Sequence, residues 1–308
     1  MKFARINFCG RFAGFLANEN DKKVYMQQNL FSENEENRPQ KLGHSNISYK
    51  EVGTILNKTS GFMADYDYSL NPYSGCAFGC TYCYAAFFAR DNEQKDTWGY
   101  WVNVKENALA LLRKFRKKPI TGKTVYMSSV TDPYQPIERK IELTRSILQE
   151  LLDYHQPRLV IQTRSPIVTR DIDLLQKFDV VQVNMTITTD SEKVRKIFEP
   201  LCPDNKTRLE TIKEIHEAGI QSCITMTPLL PLEDPDEFAK SLVNTGIKNF
   251  IIQPFHQDRG KFTAGTRDEA KKLFSEMNWT MERYREVENI IRNYIPNIGI
   301  GKEGFKPV

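Results

Sequence analysis

The sequence predicts an α/β fold, a partial (β/α)6 TIM-type barrel with an irregular N-terminal arm and a C-terminal helix. Three observations carry this. From about residue 67 to residue 254, short apolar runs of strand length alternate with amphipathic runs of helical length. Such alternation implies right-handed crossovers and a parallel sheet. Six strand candidates can be counted, too few to close an eight-stranded barrel, so an open one is expected. Two of the helical runs end at Gly219 and Gly246, where glycine serves as a helix stop.

The elements follow in order. Residues 1–60 contain "QNLFSENEENRPQKLGHSN", polar and without a sustained period, and read as a mobile or partner-contacting arm. Residues 61–260 form the barrel. "DYSLN" supplies the first strand and runs directly into a cysteine-rich loop. "NVKENALALLRKFRKK" predicts a helix over 103–118. The other strands are "TVYMSS", "RLVIQT", "VVQVNMTIT", "QSCITMT" and "KNFIIQP", and helical runs separate them. Residues 261–308 form a C-terminal helical extension. In such a barrel, chemistry is expected at the C-terminal ends of the strands.

Composition sets bounds. Over 308 residues, 40% are hydrophobic and 27% charged, as in a soluble globular enzyme. No apolar run reaches the ~18 residues of a membrane span, and the first twenty residues are too polar for a secretory signal. A cytoplasmic location with reduced thiols is expected. The net charge of +4 does not by itself select nucleic acid. The densest basic run, Arg113–Lys118, falls at the end of a predicted helix, where cations complement the dipole; a patch for an anionic partner is the alternative.

The six cysteines are unevenly placed, at 9, 76, 80, 83, 202 and 223. Three fall in "NPYSGCAFGCTYCYA" as C-x3-C-x2-C. A closed iron–sulfur or structural zinc site takes four ligands. Zinc is disfavoured, because His44 and His155 lack finger-like spacing. Three close thiolates suit a [4Fe-4S] cluster with one iron open to a further ligand. Gly75 and Gly79 let the chain wrap closely around it. Cys76, Cys80 and Cys83 are therefore the candidate catalytic and metal-ligating residues.

With an aromatic residue, Tyr82, before its last cysteine, this triplet resembles the radical S-adenosylmethionine superfamily. "SLNPYSGCAFGCTYCYA", "SSVTDPYQPIERKIELTRSIL" and "ITTDSEKVRKIFEP" resemble its spore photoproduct lyase-like branch. The resemblance implies that the three cysteines ligate three irons and that S-adenosyl-L-methionine chelates the fourth. It implies a 5′-deoxyadenosyl radical that abstracts hydrogen from a substrate, with electrons from a flavodoxin- or ferredoxin-type reductant. Tyr82 would pack near the adenine. Ser128, Ser129, Thr131 and Asp132 would meet the methionine amino group. Arg164 and Ser165 would face its carboxylate, which suits a guanidinium. Thr186 and Thr188 would meet the ribose. Met226, Thr227 and Gln253 are weaker candidates, and His256 is a candidate substrate contact. Each has a plain alternative: "TDPYQP" is also a turn sequence, and threonines favour strands anyway.

The same branch implies two substrate classes. Spore photoproduct lyase uses a cysteine at the end of the second strand as hydrogen donor, where this chain has Ser128 and Ser129. Other relatives are spliceases, lyase-type enzymes that excise tyramine from a ribosomally made precursor peptide with a small helper protein. The missing thiol, the modest charge and the polar arm favour a peptide. Nucleic-acid photoproduct repair is the alternative, and a non-catalytic iron–sulfur sensor or electron carrier the third.

Overall fold

The computed structural model describes residues 38–255 and 267–308. Most of the polar arm, Cys9 and His256 lie outside the described residues. In chain order the strands are β1 Lys41–Leu42, β2 Ser45–Lys50, β3 Leu56–Lys58, β4 Tyr68–Leu70, β5 Tyr73–Gly75 and β6 Trp101–Lys105. They continue as β7 Thr124–Met127, β8 Arg158–Thr163, β9 Val181–Thr186, β10 Gln221–Met226, β11 Asn249–Ile252 and β12 Gly299–Ile300. The main helices are α1 Ala108–Arg113, α2 Leu143–Tyr154, α3 Ile172–Leu175 and α4 Glu192–Phe198. After them come α5 Asn205–Glu217, α6 Pro235–Val243, α7 Asp268–Glu276 and α8 Met281–Tyr294.

The six expected strands lie side by side and parallel, in the order β4-β7-β8-β9-β10-β11. Register brings their C-terminal ends level: Met127 lies opposite Ile161, Thr163 opposite Met185, and Met226 opposite Ile252. All six residues of β9 are buried, as a parallel strand covered on both faces requires. The sheet stays open. Antiparallel β3 and parallel β12 form its two edges. Inside the curve lies a polar seam, in which Gln162 bonds Tyr126 at 2.9 Å, Thr186 at 2.6 Å and Thr225 at 3.0 Å. At the N-terminal end, Phe305 packs edge-on to Tyr126, and the Arg158 Nε donates to the Val308 carbonyl at 2.5 Å.

Three local expectations change. Residues 38–60 are not wholly irregular, because β1 and β2 join β5 and β6 in a second, four-stranded sheet ordered β1-β2-β6-β5. The predicted 103–118 helix begins late: Val102 and Val104 are buried as alternate residues of β6, and helix starts only at Ala108. The terminal helical stretch is broken into α7 and α8. Asn278 takes a left-handed φ of 51°, and Thr280 caps α8 by accepting from the Arg283 amide. The local N-cap bond outcompetes continuation of one long helix.

Candidate active site

The cysteine loop leaves β5 and ends in a short 3-10 turn, Tyr84–Phe88. Its bends are closed by backbone bonds from Gly79 N to Cys76 O and from Cys83 N to Cys80 O, at 3.3 and 3.1 Å. Gly75 and Gly79 adopt φ of 78° and 58°, a region that suits glycine. Cys76 and Cys80 are buried and Cys83 is half-buried.

The three thiols press on one another. Burial pushes Cys76 well up, with Asp132 and the other two sulfurs adding to it. Burial and Cys80 push Cys83 up to about 11. Cys80 is pulled down by a hydrogen bond from Cys202, against burial and with help from Arg164 and Arg208. Three thiolates in one buried loop repel each other, and bound iron cations remove that penalty. Among the described residues, no three His, Cys, Asp or Glu side chains converge as a single-ion site. A cubane needs no such convergence, since each thiolate meets its own iron. The loop therefore fits a [4Fe-4S] cluster.

Three separate braces hold the loop. The four-stranded sheet is the first. Gly75 packs so closely on Trp101 that a Cβ there would overlap its carbonyl and indole. A Cβ on Gly99 would come within 2.8 Å of the Gly79 Cα. Gly99 is pinned in turn, as His44 Nε2 and Ser45 Oγ both donate to its carbonyl at 2.8 and 2.7 Å.

The segment after β7 is the second brace. Gln135 accepts from the Ala77 amide at 2.9 Å, and Thr131 donates to the Gly75 carbonyl at 2.6 Å. Asn71 bonds the Val130 amide and the Ser129 hydroxyl. Tyr84 donates to the Ser129 carbonyl.

The third brace is the 198–203 segment after α4. The Phe198 carbonyl accepts from the Thr81 amide and hydroxyl. Glu199 is fully buried. It accepts from the Tyr82 hydroxyl and from Thr188 at 3.0 Å, forms an ion pair with Arg208 Nη2 at 2.5 Å, and has Arg164 Nε 3.6 Å away. Burial works to raise the Glu199 carboxyl, but Arg208, Arg164 and the Tyr82 hydrogen bond outweigh it and hold it at about 2. Arg195 Nη1 fixes the segment by donating to the Glu199 and Cys202 carbonyls at 3.0 and 2.9 Å.

Sequence-predicted residues fall into two groups. Tyr82, Arg164 and Thr188 meet around Glu199, with Arg164 Nη2 donating to the Tyr82 oxygen at 3.0 Å. Ser128, at the end of β7, has a left-handed φ of 74° and a buried hydroxyl without a partner among the described residues. Ser129 lies beside it, its hydroxyl bonded to Asn71. Asp132, Ser165, Thr186 and Met226 are otherwise engaged. Asp132 spends its carboxylate on the Thr163 hydroxyl and the Arg164 and Tyr134 amides, so it positions Arg164. Ser165 caps the turn at Pro166–Asp171. Thr186 lies in the polar seam, bonded to Gln162 and Thr225. Met226 is fully buried, and the Thr227 and Gln253 positions follow the ends of β10 and β11.

Sequence reading missed Glu199, Arg208, Gln135 and Gly99. Arg208 left a signal. It shares the helical face of Ile212 and Ile215 on α5, and a charge in an apolar stripe implies a buried partner.

The Radical SAM superfamily matches residues 70–243. An uncharacterized protein of Methanocaldococcus jannaschii is 41% identical over 165 residues, covering 53% of this chain and 61% of that protein. The match thus spans less than two thirds of that relative's length. Spore photoproduct lyase complexed with dinucleoside spore photoproduct is similar in fold, with TM-score 0.55 and 16% identity over 83% of this chain and 81% of that one. Streptococcus suis SuiB bound to precursor peptide SuiA is similar at TM-score 0.50 and 14% identity, over 75% and 48%. The chain belongs to the radical SAM superfamily, whose cofactors are a [4Fe-4S] cluster and S-adenosylmethionine.

Proposed function

We propose that this enzyme acts on a ribosomally made precursor peptide and breaks its backbone beside a tyrosine, as a splicease does. When bound, the cluster and S-adenosylmethionine supply a 5′-deoxyadenosyl radical able to abstract hydrogen. The chain's own residues do the rest. Arg164, its backbone set by Asp132, offers a guanidinium to the methionine carboxylate. Tyr82 and Glu199 fix that guanidinium from behind.

One observation carries the peptide reading. The end of β7 offers the hydroxyls of Ser128, Ser129 and Thr131 and no thiol. The described thiols outside the loop are engaged elsewhere: Cys202 lies against Cys80, and Cys223 contacts the Ile224 carbonyl within β10. Without a thiol to return hydrogen, abstraction leads on to bond breakage and an altered product. The likeness to SuiB with its precursor peptide is in keeping with this. A small helper protein and a flavodoxin- or ferredoxin-type reductant are the proposed partners.

A nucleic-acid substrate is the second reading. Tyr84 and Phe88, just after the loop, are 48% and 65% exposed, with ring centroids 6.3 Å apart. Exposed aromatics beside a site can stack on bases. Anaerobic incubation with tyrosine-containing precursor peptides and with irradiated DNA, read by mass, decides between the two. A fixed tyramine-sized loss from a peptide supports the first reading. Repaired dinucleotide photoproduct of unchanged mass overturns it. Failure to form 5′-deoxyadenosine with a reduced, loaded cluster would instead leave the sensor reading.

A further inference from the structure

We infer that Cys202 donates a thiol hydrogen bond to the Cys80 sulfur when that sulfur holds iron, and thereby raises the reduction potential of the cluster. The inference rests on the cluster assignment at Cys76, Cys80 and Cys83.

The geometry is direct. The two sulfurs lie 3.6 Å apart, and both residues are buried, 6% and 4% exposed. Cys202 is 122 positions along the chain from Cys80, so the approach is a product of the fold and not of the loop's own spacing. It is also held in place. Arg195 Nη1 donates to the Cys202 carbonyl at 2.9 Å, and Arg208 Nε donates to the Pro203 carbonyl at 2.8 Å. The neighbouring Thr81 is tied to the same segment through Phe198. Both sulfurs therefore sit on backbone pinned at more than one point.

The direction of the bond follows from chemistry. A sulfur bound to iron has no proton to give, so Cys202 is the only possible donor of the pair. A hydrogen bond to a ligand sulfur draws charge away from the cluster and favours its more negative, reduced form. The charges of Arg164 and Arg208 also favour a negative Cys80 sulfur and act in the same sense, opposed by the single carboxylate of Glu199. Cys202 is thus a positioning and tuning residue and not a ligand, since the loop already provides one thiolate for each of three irons.

The full chain, Cys202→Ala and Cys202→Ser should be reconstituted anaerobically and titrated electrochemically, with the reduced cluster followed by electron paramagnetic resonance. All three are expected to bind about four irons per chain. At a fixed potential, Cys202→Ala should show a roughly tenfold lower ratio of reduced to oxidised cluster, equivalent to about 59 mV for one electron. Cys202→Ser, which keeps a hydroxyl donor, should fall between the two. A ratio unchanged within twofold in Cys202→Ala overturns the inference. So does a serine variant identical to alanine, which would assign the effect to packing. Loss of iron from Cys202→Ala also overturns it, by making Cys202 a ligand. A parent chain that takes up no iron sinks the cluster assignment, whereas a loaded cluster with an unmoved potential sinks this inference alone.

Discussion

The six-stranded layer and the cradle around the cysteine loop are held by different forces. In the layer, Val183, Met185, Ile161 and Ile224 are fully buried on adjacent strands. That attraction is non-directional and tolerates volume-conserving changes. The cradle buries apolar groups as well, among them Phe78, Trp98 and Phe198, but directional contacts set its shape. It rests on two glycine contacts, hydrogen bonds aimed at single backbone atoms, and the buried charges of Glu199, Arg208 and Arg164. Each of these depends on position to within a few tenths of an ångström. Fold stability and cluster competence should therefore come apart under mutation.

The largest separation is expected at the ligands. Changing Cys76, Cys80 or Cys83 to Ala should abolish turnover and cut bound iron from about four per chain to near zero. The iron-free protein should keep the far-ultraviolet circular dichroism of the parent. A ligand variant that fails to fold without metal would break the distinction, because the layer would then depend on the cluster.

Glu199 joins the two regions, and its removal should cost the most stability. Arg208 and Glu199 are both fully buried, and breaking a buried pair on one side costs about 3–5 kcal/mol. Glu199→Gln should show that loss in urea unfolding at pH 7 and should weaken S-adenosylmethionine binding through Tyr82 and Arg164. The pH dependence gives a sharper check. The folded carboxyl sits at about 2 and its ordinary value is 4.5. A depressed carboxylate stabilises the fold above the unfolded value and loses that contribution as pH falls through the folded one. The parent should therefore lose on the order of 3 kcal/mol from this group between pH 5 and pH 2. Glu199→Gln should lack that component. Equal acid slopes in the two proteins would place the carboxylate outside the network.

Gly99→Ala tests the glycine contacts alone. Its φ is 106°, and the added methyl would stand 2.8 Å from the Gly79 Cα. Strain and overpacking of this kind cost about 1–3 kcal/mol. Here they would displace the loop itself, so iron uptake should fall more than the stability loss alone accounts for. Normal iron content in a destabilised Gly99→Ala protein would show that the small sheet is mere scaffolding.

The same contrast explains what could be read from the sequence. All six parallel strands were legible, because each is a local apolar run whose neighbours in the sheet are its neighbours in sequence order. The C-x3-C-x2-C triplet was legible because its ligands share one loop. The four-stranded sheet was not. β2 and β6 are polar at alternate positions and pair across a separation of some fifty residues, Asn46 with Trp101. Such alternation marks a strand but does not name its partner across that separation. Cys202 could be read only as a loop residue, since its role lies in a contact 122 positions away. Asp132 and Ser165 were placed at the right strand ends, but the backbone amides nearby claim their side chains first. A strand-end position identifies a residue near the site and does not say which way its hydrogen bonds go.

The smallest effect should come from a cap within the layer. Asp234 caps α6 by accepting from the Glu237 amide at 3.0 Å, and its own amide donates to Asp190 at 2.7 Å. Only the first of these bonds uses the side chain, so Asp234→Ala leaves the second intact. Loss of an N-cap costs about 1 kcal/mol, which lowers the melting temperature by about 2–4 °C in a unit of this size. None of the three braces around the cysteine loop uses α6. Iron content and cluster potential should consequently match the parent in Asp234→Ala, even though its stability loss falls in the range expected for Gly99→Ala. A shift in potential in the cap variant would mean that strain travels from the helices through the strands to the loop, and the two regions would have to be treated as one mechanical body.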